Sequence, residues 1–186
     1  RSVIDLSEVI TTGMAHTTLV NSNFTQGVYI RAFPLIQRHF RNKTPKVLYP
    51  AINPKNFMVT PGYNERITDL VKGFDVTEKT RIVLSLNRYE RKKNINLALY
   101  AFADYLKTYK PQAIDPLLVI AGGYDQRVLE NVEHHLELVA LAKKLNITER
   151  VCFLRSISND QRLLMLKHTS VLLYTPENEH FGIVPV

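Results

Sequence analysis

RIVLSLNRYERKKNINLALYAFADYLKTY, residues 81–109, decides the fold. Its opening RIVLSLN (81–87) is an apolar, β-rich run that stops at a polar break. NINLALYAFADYLKTY (94–109) reads as a helix with Ile95, Leu97, Leu99, Ala101, Phe102 and Leu106 on its buried side, and Pro111 ends it. The alternation then repeats. PLLVIAGG (116–123) is a buried strand closing on glycines, and residues 125–145 form a helix with Val128, Leu129, Val132, Leu136, Val139 and Leu145 along one face. VCFLR (151–155) is a third strand. Ser158 N-caps the following helix, SNDQ having the Ser-x-x-Gln form of a capping box. SVLLYTP (170–176) is the fourth strand. Continuous apolar strands separated by helices predict an α/β fold, a parallel sheet with helices on both faces.

The first part of the chain reads differently. A helical segment (4–14) leads to a short strand, TTLVNS (17–22). Residues 24–40 form a helix carrying Phe24, Val28, Phe33 and Phe40, which Pro34 kinks or divides. VLYPAINP (47–54) is extended and Pro-rich, an interdomain crossing. Residues 55–80 read as loop plus a short helix around Glu65–Val71. The expected division is therefore 1–54 and 55–186.

Composition narrows the class. Hydrophobic residues are 45% and charged residues 22% of the chain, as in ordinary globular domains. No run approaches the roughly 20 apolar residues of a membrane-spanning helix. RSVIDLSEVITT lacks the basic start and apolar block of a secretion signal. The single cysteine, Cys152, lies in an apolar string, so it forms no intramolecular disulfide and reads as a buried thiol. Adjacent His134 and His135 point to different faces of a helix and lack ligand spacing, and no metal site is expected. Three Asn-x-Thr triplets, at Asn23, Asn42 and Asn146, matter only in a secretory lumen, and without a disulfide framework the chain reads as facing the cytosol. The formal charge of +7 is uneven, +8 on residues 1–93 and −1 on residues 94–186, pointing to an anionic partner or to a solvated basic face.

Open parallel sheets bind ligands beyond the carboxyl ends of their strands. Charge and glycine are concentrated there. In NRYERKKN (87–94), Arg88 at the strand end and Lys93 at the mouth of the next helix fit an anion site for a diphosphate, or else a solvated loop. Gly122-Gly123 is a tight turn that gains meaning from its neighbours. In PENEHFGIVPV (176–186), the amides of Gly182, Ile183 and Val184 suit phosphate at a helix start. Glu179 is placed to accept bonds from sugar hydroxyls, or to complement the helix dipole.

RYERKKN, AGGYD, RVLENVEHH and YTPENEHFGIVP, with TTGMAHTTLVNSNFT and VLYPAIN, resemble the eukaryotic α-1,3/α-1,6-mannosyltransferases of dolichol-linked oligosaccharide assembly, a branch of glycosyltransferase family 4. The likeness spans nearly the whole chain, except 55–80 and 107–116. It implies a GT-B architecture of two Rossmann-like domains with the active site between them. Residues 1–54 would end the amino-terminal, acceptor-side domain and complete the crossing, and 55–186 would form most of the donor domain.

By resemblance, Arg88 and Lys93 match the basic pair on the donor diphosphate, and Arg155 and Ile157 the region around the nucleotide base. Glu179 matches the first glutamate of an E-x7-E motif, which contacts the transferred sugar. The second glutamate falls at position 187, so the resemblance implies a polypeptide that continues. The activity implied is retaining transfer of mannose from GDP-mannose to a dolichol-diphosphate-linked oligosaccharide, at the cytosolic face of the endoplasmic reticulum membrane. No metal or other cofactor and no nucleic acid is expected. A non-catalytic nucleotide-sugar-binding subunit, or a family 4 transferase with another donor, is the alternative. A lipid acceptor also implies contact with a membrane surface. Residues 24–43, with Phe24, Val28, Ile30, Phe33, Ile36 and Phe40 beside Arg31, Arg38, Arg41 and Lys43, either supply it or pack onto a sheet, packing being favoured.

Overall fold

The computed structural model describes residues 2–40, 44–51, 53–108 and 114–177. They fall into two compact units, one ending at Asn53 and the other running from Pro54 to Glu177.

The first unit holds α1 (Ser2–Gly13), β1 (Leu19–Val20), α2 (Asn23–Ala32), α3 (Pro34–His39) and β2 (Lys46–Val47). The strands pair in parallel, Leu19 opposite Lys46 and Val20 opposite Val47. Ser22 caps α2 by accepting the Thr25 amide at 3.1 Å. Pro34 divides the expected helix: Phe33 leaves helical geometry and Pro34 opens α3 at its first position, where no amide is needed. Ile36 is fully buried, Phe33 packs on Tyr29 with ring centroids 5.0 Å apart, and the Phe40 ring presses on Gly13. Those contacts are internal packing. Phe24 and Ile30 are exposed, and Arg41 and Lys43 lie outside the described residues.

The second unit runs α4 (Ile67–Leu70), β3 (Thr80–Leu86), α5 (Ile95–Thr108), β4 (Asp115–Gly122), α6 (Leu129–Lys144), β5 (Val151–Arg155), α7 (Asn159–His168) and β6 (Thr169–Leu172). The sheet is parallel throughout, in the order β5-β4-β3-β6. Strand β4 shows why both faces are covered. Leu118 and Ile120 enter one core with Leu99 and Phe102 of α5 and Leu138 of α6. Leu117, Val119 and Ala121 enter the other with Leu70 of α4 and Met165 of α7, the period-2 alternation of a strand. Cys152 lies in this second core, and burial pushes its thiol up to about 11. The Ser158 capping box is present, with its Oγ accepting the Gln161 amide at 3.1 Å and the Gln161 side chain accepting the Ser158 amide at 2.9 Å.

Two helix faces differ from expectation. On α6, Val128, Leu129, Leu136 and Val139 are exposed, Leu129 by 69%, while Asn131, His134, Leu138 and Ala142 are buried. Asn131 lies on the inward side because it bonds to two loops, at Tyr89 and Asp125, which apolar periodicity does not register. On α5, Ala98 and Ala103 are buried beside Ile95, Leu99 and Phe102, while Leu97 and Ala101 are exposed. Strand β6 is shorter than SVLLYTP: it ends at Leu172, and the Leu173 amide donates to the Leu84 carbonyl at 2.7 Å.

Candidate functional site

The sheet order places a topological switch between β3 and β6. From β3 the chain moves outward through β4 and β5, then returns to the other side of β3 as β6. Connections diverge there, leaving a crevice at the carboxyl ends of these strands. Into that crevice run the loop 87–94 and the segment after β6. They meet in two hydrogen bonds: Thr175 Oγ1 donates to the Lys93 carbonyl at 2.8 Å, and Asn94 Nδ2 donates to Glu177 Oε1 at 3.3 Å.

Three strand ends are fastened together around Gly122. The Asn87 amide donates to the Ala121 carbonyl at 2.9 Å, the Tyr89 amide to Gly123 at 3.0 Å, and the Ser156 amide to Gly122 at 2.8 Å. Gly122 has φ +148°, and a Cβ there would stand 2.0 Å from the Asn87 carbonyl oxygen. Only glycine fits this approach. Beside it, a Cβ on Gly123 would come within 3.1 Å of Arg88 Cγ. The glycine pair is thus where the first two loops touch. Tyr89, fully buried beneath, donates from its hydroxyl to the Ile120 carbonyl at 3.0 Å; burial raises its pKa.

Arg88 stands at the rim with its side chain 63% exposed. Glu90 forms an ion pair with Arg88 at 3.0 Å and with Lys92 at 3.2 Å, and is itself only 14% exposed. The loop that reads as a cluster of cations therefore carries its own carboxylate. One Arg88 nitrogen faces Glu90, and a guanidinium has further donors for a phosphate. Lys93 closes the short 3₁₀ turn Arg91–Lys93, half-buried, ahead of Asn94 in the left-handed region at φ +50°.

Further along the rim, Arg155 at the end of β5 lies over the Tyr124 ring, its guanidinium carbon 5.0 Å from the centroid. Ser156, at φ +52°, donates from its Oγ to the Tyr124 carbonyl at 2.5 Å. These residues line an open cavity of about 690 Å³ with Asp125, Gln126 and Arg127. Hydrogen bonds from the Arg127 side chain and amide hold the Asp125 carboxyl down to about 2. Behind Tyr124, His135 makes edge contacts with Tyr89, Tyr124 and Phe153 at 5.3, 5.7 and 5.5 Å. Burial first, and Arg155 second, lower its pKa.

Arg88, Gly122, Gly123 and Arg155 thus share one rim, and Lys93 belongs to the same loop as Arg88. Ile157 turns away and packs against the core shared with α4 and α7. Glu179, Gly182, Ile183 and Val184 lie outside the described residues. Sequence reading placed Ser156 with Arg155 at the end of the third strand but gave no role to Glu90 or Tyr124. Tyr124 had a signal, since it follows the glycine pair; the backbone turn at Ser156 had none. Among the described residues, no cluster of His, Cys, Asp or Glu could hold a metal ion.

The chain is 44% identical over 189 residues to alpha-1,3/1,6-mannosyltransferase ALG2 of Homo sapiens, all of the chain matching 42% of that protein. It is 41% identical over 196 residues to the protein of the same name in Dictyostelium discoideum, covering 45% of it. The chain therefore spans under half the length of these curated relatives. Among solved structures, sucrose-phosphate synthase from Thermosynechococcus elongatus superposes with a TM-score of 0.69 at 20% identity, over 99% of this chain and 41% of the other. Anabaena HepE in complex with UDP and glucose gives 0.65 at 19% identity, over 91% and 41%. These likenesses establish the Rossmann-like α/β fold of GT-B glycosyltransferases. The model for the family "Glycosyl transferases group 1" matches residues 67–186, most of the second unit included, and the chain belongs to that family.

Proposed function

We propose that the crevice at the β3/β6 switch binds the diphosphate of a nucleotide sugar, and that the full-length protein is a retaining mannosyltransferase. The donor is GDP-mannose and the acceptor a dolichol-diphosphate-linked oligosaccharide, at the cytosolic face of the endoplasmic reticulum membrane. The observation that carries this reading is the placement of the Arg88 loop beyond the carboxyl end of β3, beside the strand that reverses the sheet order. The names of the relatives support mannose as the sugar moved, and the lipid-linked acceptor follows from the sequence resemblance.

In transfer, the bond between mannose C1 and the β-phosphate oxygen breaks, and its electron pair stays on the phosphate. The acceptor hydroxyl bonds to C1 and passes its proton to an oxygen of the departing diphosphate. Negative charge grows on the departing diphosphate, where Arg88 and Lys93 stabilise it, with the amides of Gly182, Ile183 and Val184 assigned to the same task. Glu179 is assigned to the mannose hydroxyls. Arg155 over Tyr124 offers a flat cationic surface suited to the base. This chemistry calls for no metal among these residues.

Replacing Arg88 by Ala, or Lys93 by Ala, in the full-length enzyme removes one charge-assisted phosphate contact. Each loss costs roughly 10- to 150-fold in transfer rate if the contact is fully expressed in the transition state. The measurement is mannosyl transfer to a lipid-linked acceptor. Near-normal turnover by both variants would mean that the loop is only solvated surface.

A further inference from the structure

Arg91 lies in sequence between the two cations assigned to the diphosphate and is bound by α6. Its backbone amide donates to Glu130 Oε1 at 3.0 Å. Its Nη2 donates to Glu133 Oε2 at 3.0 Å and to Glu137 Oε1 at 2.7 Å. Residues 130, 133 and 137 follow the helical repeat, so the three carboxylates line one face. The second oxygen of Glu137 meets Nδ1 of buried His134 at 3.1 Å. Bonds from Arg91, and then from His134, hold the Glu137 carboxyl below its usual range. One residue inward on the helix, Asn131 donates to the Tyr89 carbonyl at 3.1 Å and accepts the Asp125 amide at 3.0 Å.

The loop is thus tied to α6 at residues 89 and 91, while Arg88 and Lys93 flank the tied stretch. Arg91, Glu133 and Glu137 are about half exposed, a setting in which ion pairs add little to stability because solvent and salt screen them. The buried Asn131–Tyr89 bond is not screened in this way, and with it they act on the loop together. Three carboxylates from a rigid helix fix the path of a short loop far more closely than the turn itself requires.

We propose that Arg91 is a positioning residue, clamped by the acidic face of α6 so that Arg88 and Lys93 are held in register with the donor diphosphate. The inference rests on the proposed role of that loop. Displacement of a catalytic contact by an ångström is enough to cost one to two orders of magnitude in rate. Arg91 touches no substrate in this scheme and acts only through its neighbours.

The test uses the full-length enzyme and compares Arg91→Gln, Arg88→Ala and the double variant by kcat/KM for the donor, with thermal unfolding of each. Arg91→Gln is expected to lose roughly tenfold in the native background and clearly less, about threefold, when Arg88 is already Ala, the remainder acting through Lys93, because contacts that act as a unit are not additive. A paired Glu133→Gln, Glu137→Gln variant, which leaves the loop sequence untouched, is expected to give the same loss. Equal losses in both backgrounds would make Arg91 merely structural and overturn the proposal. So would full activity of Arg91→Gln beside an impaired Arg88→Ala. Full activity of Arg88→Ala would instead remove the diphosphate reading, and this inference with it.

Discussion

Gly122 is the residue on which the site geometry turns. Its φ of +148° and the 2.0 Å that a Cβ would leave to Asn87 oxygen act together. Gly122→Ala is expected to destabilise the second unit by about 2–5 kcal/mol, combining backbone strain with overpacking. A lower urea midpoint at unchanged slope would register it, and an unchanged midpoint would mean that the loops part without cost. His135 offers a titration. Its folded pKa lies below the ordinary 6.5, so the folded state binds the proton less readily than the unfolded chain. Above pH 6.5 the ring is neutral in both states and costs nothing. As pH falls below that value the unfolded chain is protonated first, and stability is lost until the folded pKa has also been passed. The thermal midpoint of the native chain should therefore drop more steeply from about pH 6.5 downward than that of His135→Phe. Parallel profiles would show that His135 is not the responsible group.

The elements were legible in proportion to how local their causes are. The Ser158 capping box, the break at Pro34 and the four strands of the main sheet depend on neighbouring residues, and each was readable. The buried face of α6 was not. Asn131 points inward to the Tyr89 carbonyl and the Asp125 amide, which belong to loops far along the chain, and His134 is buried on the same face. Periodicity assigned the face to Leu129, Leu136 and Val139, which are exposed. The candidate site divides the same way. Arg88, Lys93 and the glycine pair announced themselves by charge and by position after strands. Glu90 did not, because a single carboxylate among cations looks like solvated surface until its 14% exposure is known.

At the scale of the molecule, the two units differ in what holds them. Among the described residues, the second has cores on both faces of a four-stranded sheet, whereas the first pairs two short strands and buries few large side chains. Amide exchange should follow that contrast, since protection tracks burial and ladder hydrogen bonds. The amides of β3 and β4 between Val83 and Ala121 that join strand to strand should exchange slowest, and those of β1 and β2 much faster. Comparable protection in both units would contradict this account.

The returning strand also sets an order of assembly. Strands β3, β4 and β5 pair with partners one crossover away and can join as they emerge from the ribosome. Ile82 must find Thr169, 87 positions further along the sequence, and the β3–β6 pairing is the longest closure in the sheet. Long closures are slow, so β6 docks last and the β3 edge stays bare until it arrives. The crevice does not exist before that moment, and a ligand there can reward only a chain that has finished folding.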